Sequence, residues 1–131
     1  MSTHVATRRL TQFDLARMRV NGEKIAVLTC YDASFAVVCD AVGVDALLIG
    51  DSLGMVLQGH DSTLPVTLSD IAYHTACVAR GSRRPLVIAD MPFGSFQESP
   101  QRALRNAVTL MAAGAQMVKI EGGVELAETT R

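Results

Sequence analysis

Leu47-Leu48-Ile49-Gly50-Asp51, Leu86-Val87-Ile88-Ala89-Asp90 and Met117-Val118-Lys119-Ile120-Glu121 are three short apolar runs that each stop at an acid. If they are neighbouring strands of one parallel sheet, their carboxyl ends share one edge and the three carboxylates gather there. Gathered carboxylates repel one another unless a cation sits among them. A hard divalent ion such as Mg2+, which prefers oxygen ligands and leaves positions open for substrate oxygens, suits such a group.

Working outward, strand and helix signals alternate along the whole chain. A short helix from Thr11 to Val20, with Thr11 as its cap, precedes a first strand over Ile25 to Tyr31 and a helix over Ala33 to Val42 that Gly43 stops. The second strand, Asp45 to Gly50, has no polar alternation, as expected when both faces are covered. A long glycine-containing loop, Ser52 to Thr67, leads to a helix capped by Ser69 or Thr67 and closed at Gly81. Pro85 opens the third strand, Ser99-Pro100 starts the next helix, and Gly114 ends it. Gln116 to Ile120 forms the fourth strand, and Val124 to Arg131 begins like another helix.

Repeated strand-then-helix units argue for a parallel α/β sheet with right-handed crossovers. A doubly wound open sheet usually carries a glycine-rich turn after its first strand, but Tyr31-Asp32-Ala33-Ser34 has no glycine. The better expectation is a (β/α)8 barrel, which typically takes about 250 residues. Residues 1-131 then supply its first four strand-helix units as the N-terminal half of one domain, with the short helix ahead of the first strand.

The 131 residues are 49% hydrophobic, and 12 basic against 13 acidic residues give a net charge of -1. That balance creates no field to draw nucleic acid or an anionic membrane, and small-molecule chemistry is expected instead. Arg8-Arg9 is followed by residues too polar for an export signal, and no apolar run reaches the roughly 18 to 20 residues of a membrane span. The chain reads as soluble and cytoplasmic. Cys30, Cys39 and Cys77 lack metal-ligand spacing and read as inert core thiols without disulfides.

Among candidate functional residues, Asp51 opens a long loop, Asp90 precedes Met91-Pro92, and Lys119 and Glu121 point to one face of their strand by alternation. The last two form either a structural ion pair or part of a site. Asp32 is as much a helix cap as a functional acid. His60-Asp61 reads as a loop-ordering pair with proton transfer or metal binding as the sharper alternative, while His74 and His4 read as structural or solvent-facing. Together the set suits an α-keto acid, whose carboxylate and keto oxygen a metal chelates while Lys119 adds a second positive charge near a developing enolate. No residue of the set is a good general base, because acids that hold a metal lose their basicity to it.

Gly50-Asp51-Ser52-Leu53-Gly54-Met55, Gln58-Gly59-His60-Asp61-Ser62-Thr63-Leu64-Pro65-Val66-Thr67, Asp70-Ile71-Ala72-Tyr73-His74-Thr75 and Met117-Val118-Lys119-Ile120-Glu121-Gly122-Gly123 closely resemble motifs of the ketopantoate hydroxymethyltransferases, in the same order. The resemblance runs from about Leu10 to the end. It implies a (β/α)8 barrel that moves a hydroxymethyl group from 5,10-methylenetetrahydrofolate to 3-methyl-2-oxobutanoate, giving 2-dehydropantoate on the way to pantothenate. It also implies Mg2+ ligands at Asp51, Asp90 and Glu121, keto-acid contacts at Asp51, Ser52, Asp90 and Lys119, and a homo-oligomer, usually a decamer. The family's general base, a Glu in the second half of the barrel, has no counterpart in this chain, so no catalytic residue is assigned here. A Mg2+-dependent lyase of the phosphoenolpyruvate mutase and isocitrate lyase type is the runner-up, and a non-catalytic keto-acid-binding half-barrel is the alternative outside enzymes.

Overall fold

The computed structural model describes residues 8–131; His4, expected to be structural or solvent-facing, lies outside them. Helix α1 (Gln12–Val20) comes first and is closed by a reciprocal cap: Thr11 accepts from the Asp14 backbone N–H, and the Asp14 carboxylate accepts from Thr11. Strands β1 (Val27–Thr29), β2 (Ala46–Ile49), β3 (Leu86–Asp90) and β4 (Met117–Lys119) then form one parallel sheet in the order β1-β2-β3-β4. Helices α2 (Ala33–Ala41), α4 (Leu68–Gly81) and α5 (Pro100–Ala112) fill the crossovers. All four strands therefore end at one edge of the sheet.

The expected loop between β2 and α4 is interrupted by a one-turn helix, α3 (Leu53–Val56). It forms because Leu53 and Gly54 are buried and the chain folds back over them: His60 donates its backbone N–H to the Gly54 carbonyl at 2.8 Å. A Cβ at Gly54 would run into the Val66 side chain, so only glycine lets this loop lie down. Thr67, not Ser69, caps α4, in a second reciprocal pair with Asp70. Strand β1 is shorter than expected, and Val124–Leu126 makes a 3-10 turn where a helix was anticipated.

Registration sorts the side chains into rows. Leu47, Ile49, Val87 and Ala89 are fully buried and face the helices, together with Ile71, Val78 and Leu110. On the opposite face Leu48, Ile88 and Met117 are register neighbours and only half-buried. Continued toward the carboxyl ends, that same face carries Gly50, Asp90 and Lys119, because side chains alternate along each strand. Cys30 and Cys39 are buried as expected, and desolvation pushes the Cys30 thiol up to about 11. Cys77 departs from the expectation of a core thiol: it sits half-buried on α4 beside Arg80. No helix among the described residues is long and apolar enough to cross a membrane.

Helices α2 and α4 meet at Gly81, where an added Cβ would stand 2.7 Å from the Cα and 2.8 Å from the carbonyl carbon of Ala33. Backbone cannot yield as a flexible side chain does. Gly81→Ala is expected to cost about 1–3 kcal/mol by overpacking, read as a lower urea midpoint. An unchanged midpoint would mean that the two helices separate freely at this point.

Candidate functional site

Asp90 is the residue around which the carboxyl-terminal edge is arranged. It is the last residue of β3, only 5% exposed, and it faces Lys119 across the β3–β4 register. Its Oδ1 pairs with Lys119 Nζ, and its Oδ2 accepts the backbone N–H of Asp51 at 3.2 Å. Burial is the largest influence on the Asp90 carboxyl and pushes it above its ordinary range. The Lys119 ammonium and the Asp51 N–H pull it partly back, while the nearby Asp51 carboxylate adds to the rise. Both partners of the pair are raised: burial alone would lower Lys119, but its bonds to Asp90 and Glu121 outweigh that loss.

Glu121 reaches the same ammonium from two residues farther along, at 2.7 Å. Its side chain is 81% exposed, and Lys119 holds its carboxyl below the ordinary range. The expected spacing thus brings Lys119 and Glu121 into direct contact. Asp51, Asp90 and Glu121 line one open cleft of about 330 Å³. Among the described residues, however, no three His, Cys, Asp or Glu side chains stand close enough together to enclose a metal ion. Asp51 and Asp90 are tied together through a backbone bond, and Glu121 leans toward solvent on the far side of Lys119.

Those donors still suit a hard cation. Mg2+ is commonly held by one or two carboxylates, with substrate oxygens and waters completing its shell. Here a carboxylate that burial pushes above its ordinary range lies beside a second one, and every donor is oxygen.

Ser52 lies on the same side of the sheet edge as Asp90. A Cβ built on Gly50 would stand 3.0 Å from Ser52 Oγ and 3.5 Å from Asp90 Oδ2, so a side chain there would crowd the serine hydroxyl and touch the Asp90 carboxylate. The remaining candidates fall elsewhere. The Asp32 carboxylate accepts from the Phe35 backbone N–H at 2.8 Å, which is the capping role. His60 and Asp61 are exposed on the loop after α3. His74 is structural, with its Nδ1 2.7 Å from the Tyr31 carbonyl.

A family model described as ketopantoate hydroxymethyltransferase matches residues 9–131. The chain belongs to the ketopantoate hydroxymethyltransferase family. It is 69% identical over 131 residues to the 3-methyl-2-oxobutanoate hydroxymethyltransferase of Dechloromonas aromatica, covering all of this chain and 48% of that one. The protein of that name from Azoarcus sp. is 66% identical over 122 residues, covering 93% of this chain and 45% of its own. This member of the ketopantoate hydroxymethyltransferase family thus spans about half the length of the curated relatives it matches. Among solved structures, a 2,3-dimethylmalate lyase described as a PEP mutase/isocitrate lyase superfamily member superposes with a TM-score of 0.63. At 24% identity over 86% of this chain and 40% of the lyase, that likeness shows a shared fold.

Sequence reasoning missed the apolar wall of the cleft, made by Leu64, Met91, Phe93 and Phe96. Met91 and Phe96 are buried, whereas Phe93 is 65% exposed. Its signal was present in Met91-Pro92-Phe93: an aromatic placed just past a strand end that terminates in an acid.

The raised Asp90 carboxyl yields a test on the metal-free protein. Lys119→Met removes the ammonium that opposes desolvation, so Asp90 is expected to titrate at still higher pH in carboxyl 13C NMR. A folded-state value above the unfolded one means that the folded protein binds this proton more tightly; the site's contribution to stability grows as pH falls through that window, more steeply in the variant. An unchanged titration would show that Lys119 does not neutralise Asp90.

Proposed function

We propose that the enzyme carrying this chain transfers a hydroxymethyl group from 5,10-methylenetetrahydrofolate to 3-methyl-2-oxobutanoate. With one water consumed, the products are 2-dehydropantoate and tetrahydrofolate, a step of pantothenate synthesis. The observation that carries this reading is the pairing of buried Asp90 with the partly exposed Lys119, and the backbone bond from Asp51 to Asp90, at the carboxyl edge of a parallel sheet in a chain 69% identical to a transferase of that name. We place residues 1-131 as the N-terminal half of a (β/α)8 barrel in the cytoplasm, within a homo-oligomer of the decameric kind, acting on small molecules rather than nucleic acid or membranes.

Asp51 and Asp90, with Glu121 as a third carboxylate, would hold Mg2+. When bound, the ion supplies Lewis-acid polarisation of the 2-keto group. Lys119 then offers its ammonium to the oxygen on which negative charge develops as the C3 proton leaves, a charge worth most where water is scarce. Ser52 and the backbone around Asp51 bind the carboxylate end. Leu64, Met91 and Phe96 take the branched alkyl group, which binds by burial alone. The C3 proton goes to a base outside these residues, since a carboxylate that holds a cation is a poor acceptor.

The deciding assay follows one-carbon transfer onto 3-methyl-2-oxobutanoate by the 131-residue chain, with and without an added C-terminal half. Transfer is expected only when both halves and Mg2+ are present, and chelation should abolish it. Turnover of 2,3-dimethylmalate without transfer would overturn the reading in favour of a lyase.

Two substitutions divide the roles. Asp90→Ala is expected to abolish Mg2+-dependent keto-acid binding in calorimetry, and unchanged Mg2+ affinity would remove Asp90 from the ligands. Lys119→Ala should weaken keto-acid binding by about 10- to 100-fold, as loss of a charge-assisted bond does, while Mg2+ binding changes less. Equal effects on both would favour a purely structural ion pair.

A further inference from the structure

One hydrogen bond at the site edge involves a residue to which no role has been given. Tyr31 lies just past the end of β1, and its hydroxyl stands 2.7 Å from Ser52 Oγ, just past the end of β2. The tyrosine is fixed from behind by α4. His74 Nδ1 is 2.7 Å from the Tyr31 backbone carbonyl, and because a carbonyl only accepts, Nδ1 carries the proton. The two rings also meet edge to face, 6.4 Å apart and at 82°. Three elements thereby converge to hold one phenol against one serine.

We infer that Tyr31 is a positioning residue that sets the direction of the Ser52 hydroxyl toward the keto-acid carboxylate. Either oxygen of the Tyr31–Ser52 pair can donate. A carboxylate ligand, however, only accepts, so a serine that is to bind it must spend its single proton on the ligand. Tyr31 then donates to Ser52, and Ser52 donates to the substrate. Hydrogen bonds in such a chain polarise one another, and a serine that would otherwise sample several rotamers is held in one. Ser52 Oγ stands 3.0 Å from where a Gly50 Cβ would be, on the face of the sheet that carries Asp90, so the hydroxyl lies on the site side of the sheet edge and away from the helices. This inference rests on Ser52 contacting the carboxylate, as proposed above.

The test is Tyr31→Phe in the whole enzyme, which keeps the ring and its contact with His74 and removes only the hydroxyl. The keto-acid KM is expected to rise about 3- to 10-fold, the usual worth of one hydrogen bond, with kcat within about twofold and the folate KM unchanged. Ser52→Ala should raise the same KM, and the double variant should be no worse than Ser52→Ala alone, because Tyr31 acts through Ser52. An unchanged KM in Tyr31→Phe, or a double variant equal to the product of the single effects, would overturn the assignment. If the unsubstituted enzyme shows no transfer at all, it is the proposed reaction that fails. The same cycle is then read as calorimetric affinity for 3-methyl-2-oxobutanoate with Mg2+, where equal affinity in all four proteins would sink the positioning role as well.

Discussion

A carboxylate kept from water at the end of a parallel strand has to find its compensation within the protein, and Asp90 organises this molecule for that reason. Lys119 is its register partner on β4, and the Asp51 N–H is donated from the turn after β2. Both compensations require that three strands end level with one another. A slip of one residue would turn Lys119 to the helix side and leave the charge unpaired. The ion pair adds little net stability, since taking Asp90 out of water costs much of what its attraction to the partly exposed Lys119 returns. What it enforces is registration, and registration places Asp51, Asp90 and Glu121 on one cleft.

Glycine completes the arrangement by vacating space. Gly50 follows β2 on the face that carries Asp90, and a Cβ there would stand 3.0 Å from Ser52 Oγ, crowding that hydroxyl. Gly54 performs the matching service one turn later, allowing the loop that carries Thr63 and Leu64 to close over α3.

The strands and helices were legible because their signals are local. Continuous apolar runs mark strands covered on both faces, and Thr11, Asp32, Thr67 and Ser99 each accept a backbone N–H at the helix start that their residue type suggested. The placement of Lys119 and Glu121 on one face followed from period-two alternation. What could not be read depends on residues distant in sequence. Helix α3 is covered by Val66, which lies against Gly54 twelve positions away, and the cleft wall of Leu64, Met91 and Phe96 is assembled from two separate loops. Cys77 looked like its two buried counterparts in local sequence, yet it is half-buried on α4, where its sulfur accepts from Arg80. Tyr31 and Ser52, in contact at 2.7 Å, are 21 residues apart and carry no mutual periodicity.

The pattern of exposure bears on how much of the fold this chain contains. Strands β2 and β3 are buried along almost their whole length, but Val27 and Leu28 on β1 are 50% and 46% exposed, and β4 is only half-buried. An edge strand with apolar residues and unpaired backbone groups is a template for further strand pairing. In an all-parallel sheet, where both faces are normally covered, the half-exposed row of Leu48, Ile88 and Met117 poses the same problem for the inner face. The proposed barrel resolves both at once: additional strands pair with β1 and β4, and their inward residues fill the space over that row. Such closure also surrounds Asp90 and Lys119 on the side where the cleft now opens, lowering the local dielectric where the proposed reaction would set an ammonium against a developing oxyanion. In the proposed barrel, completing the sheet and enclosing the site are one event.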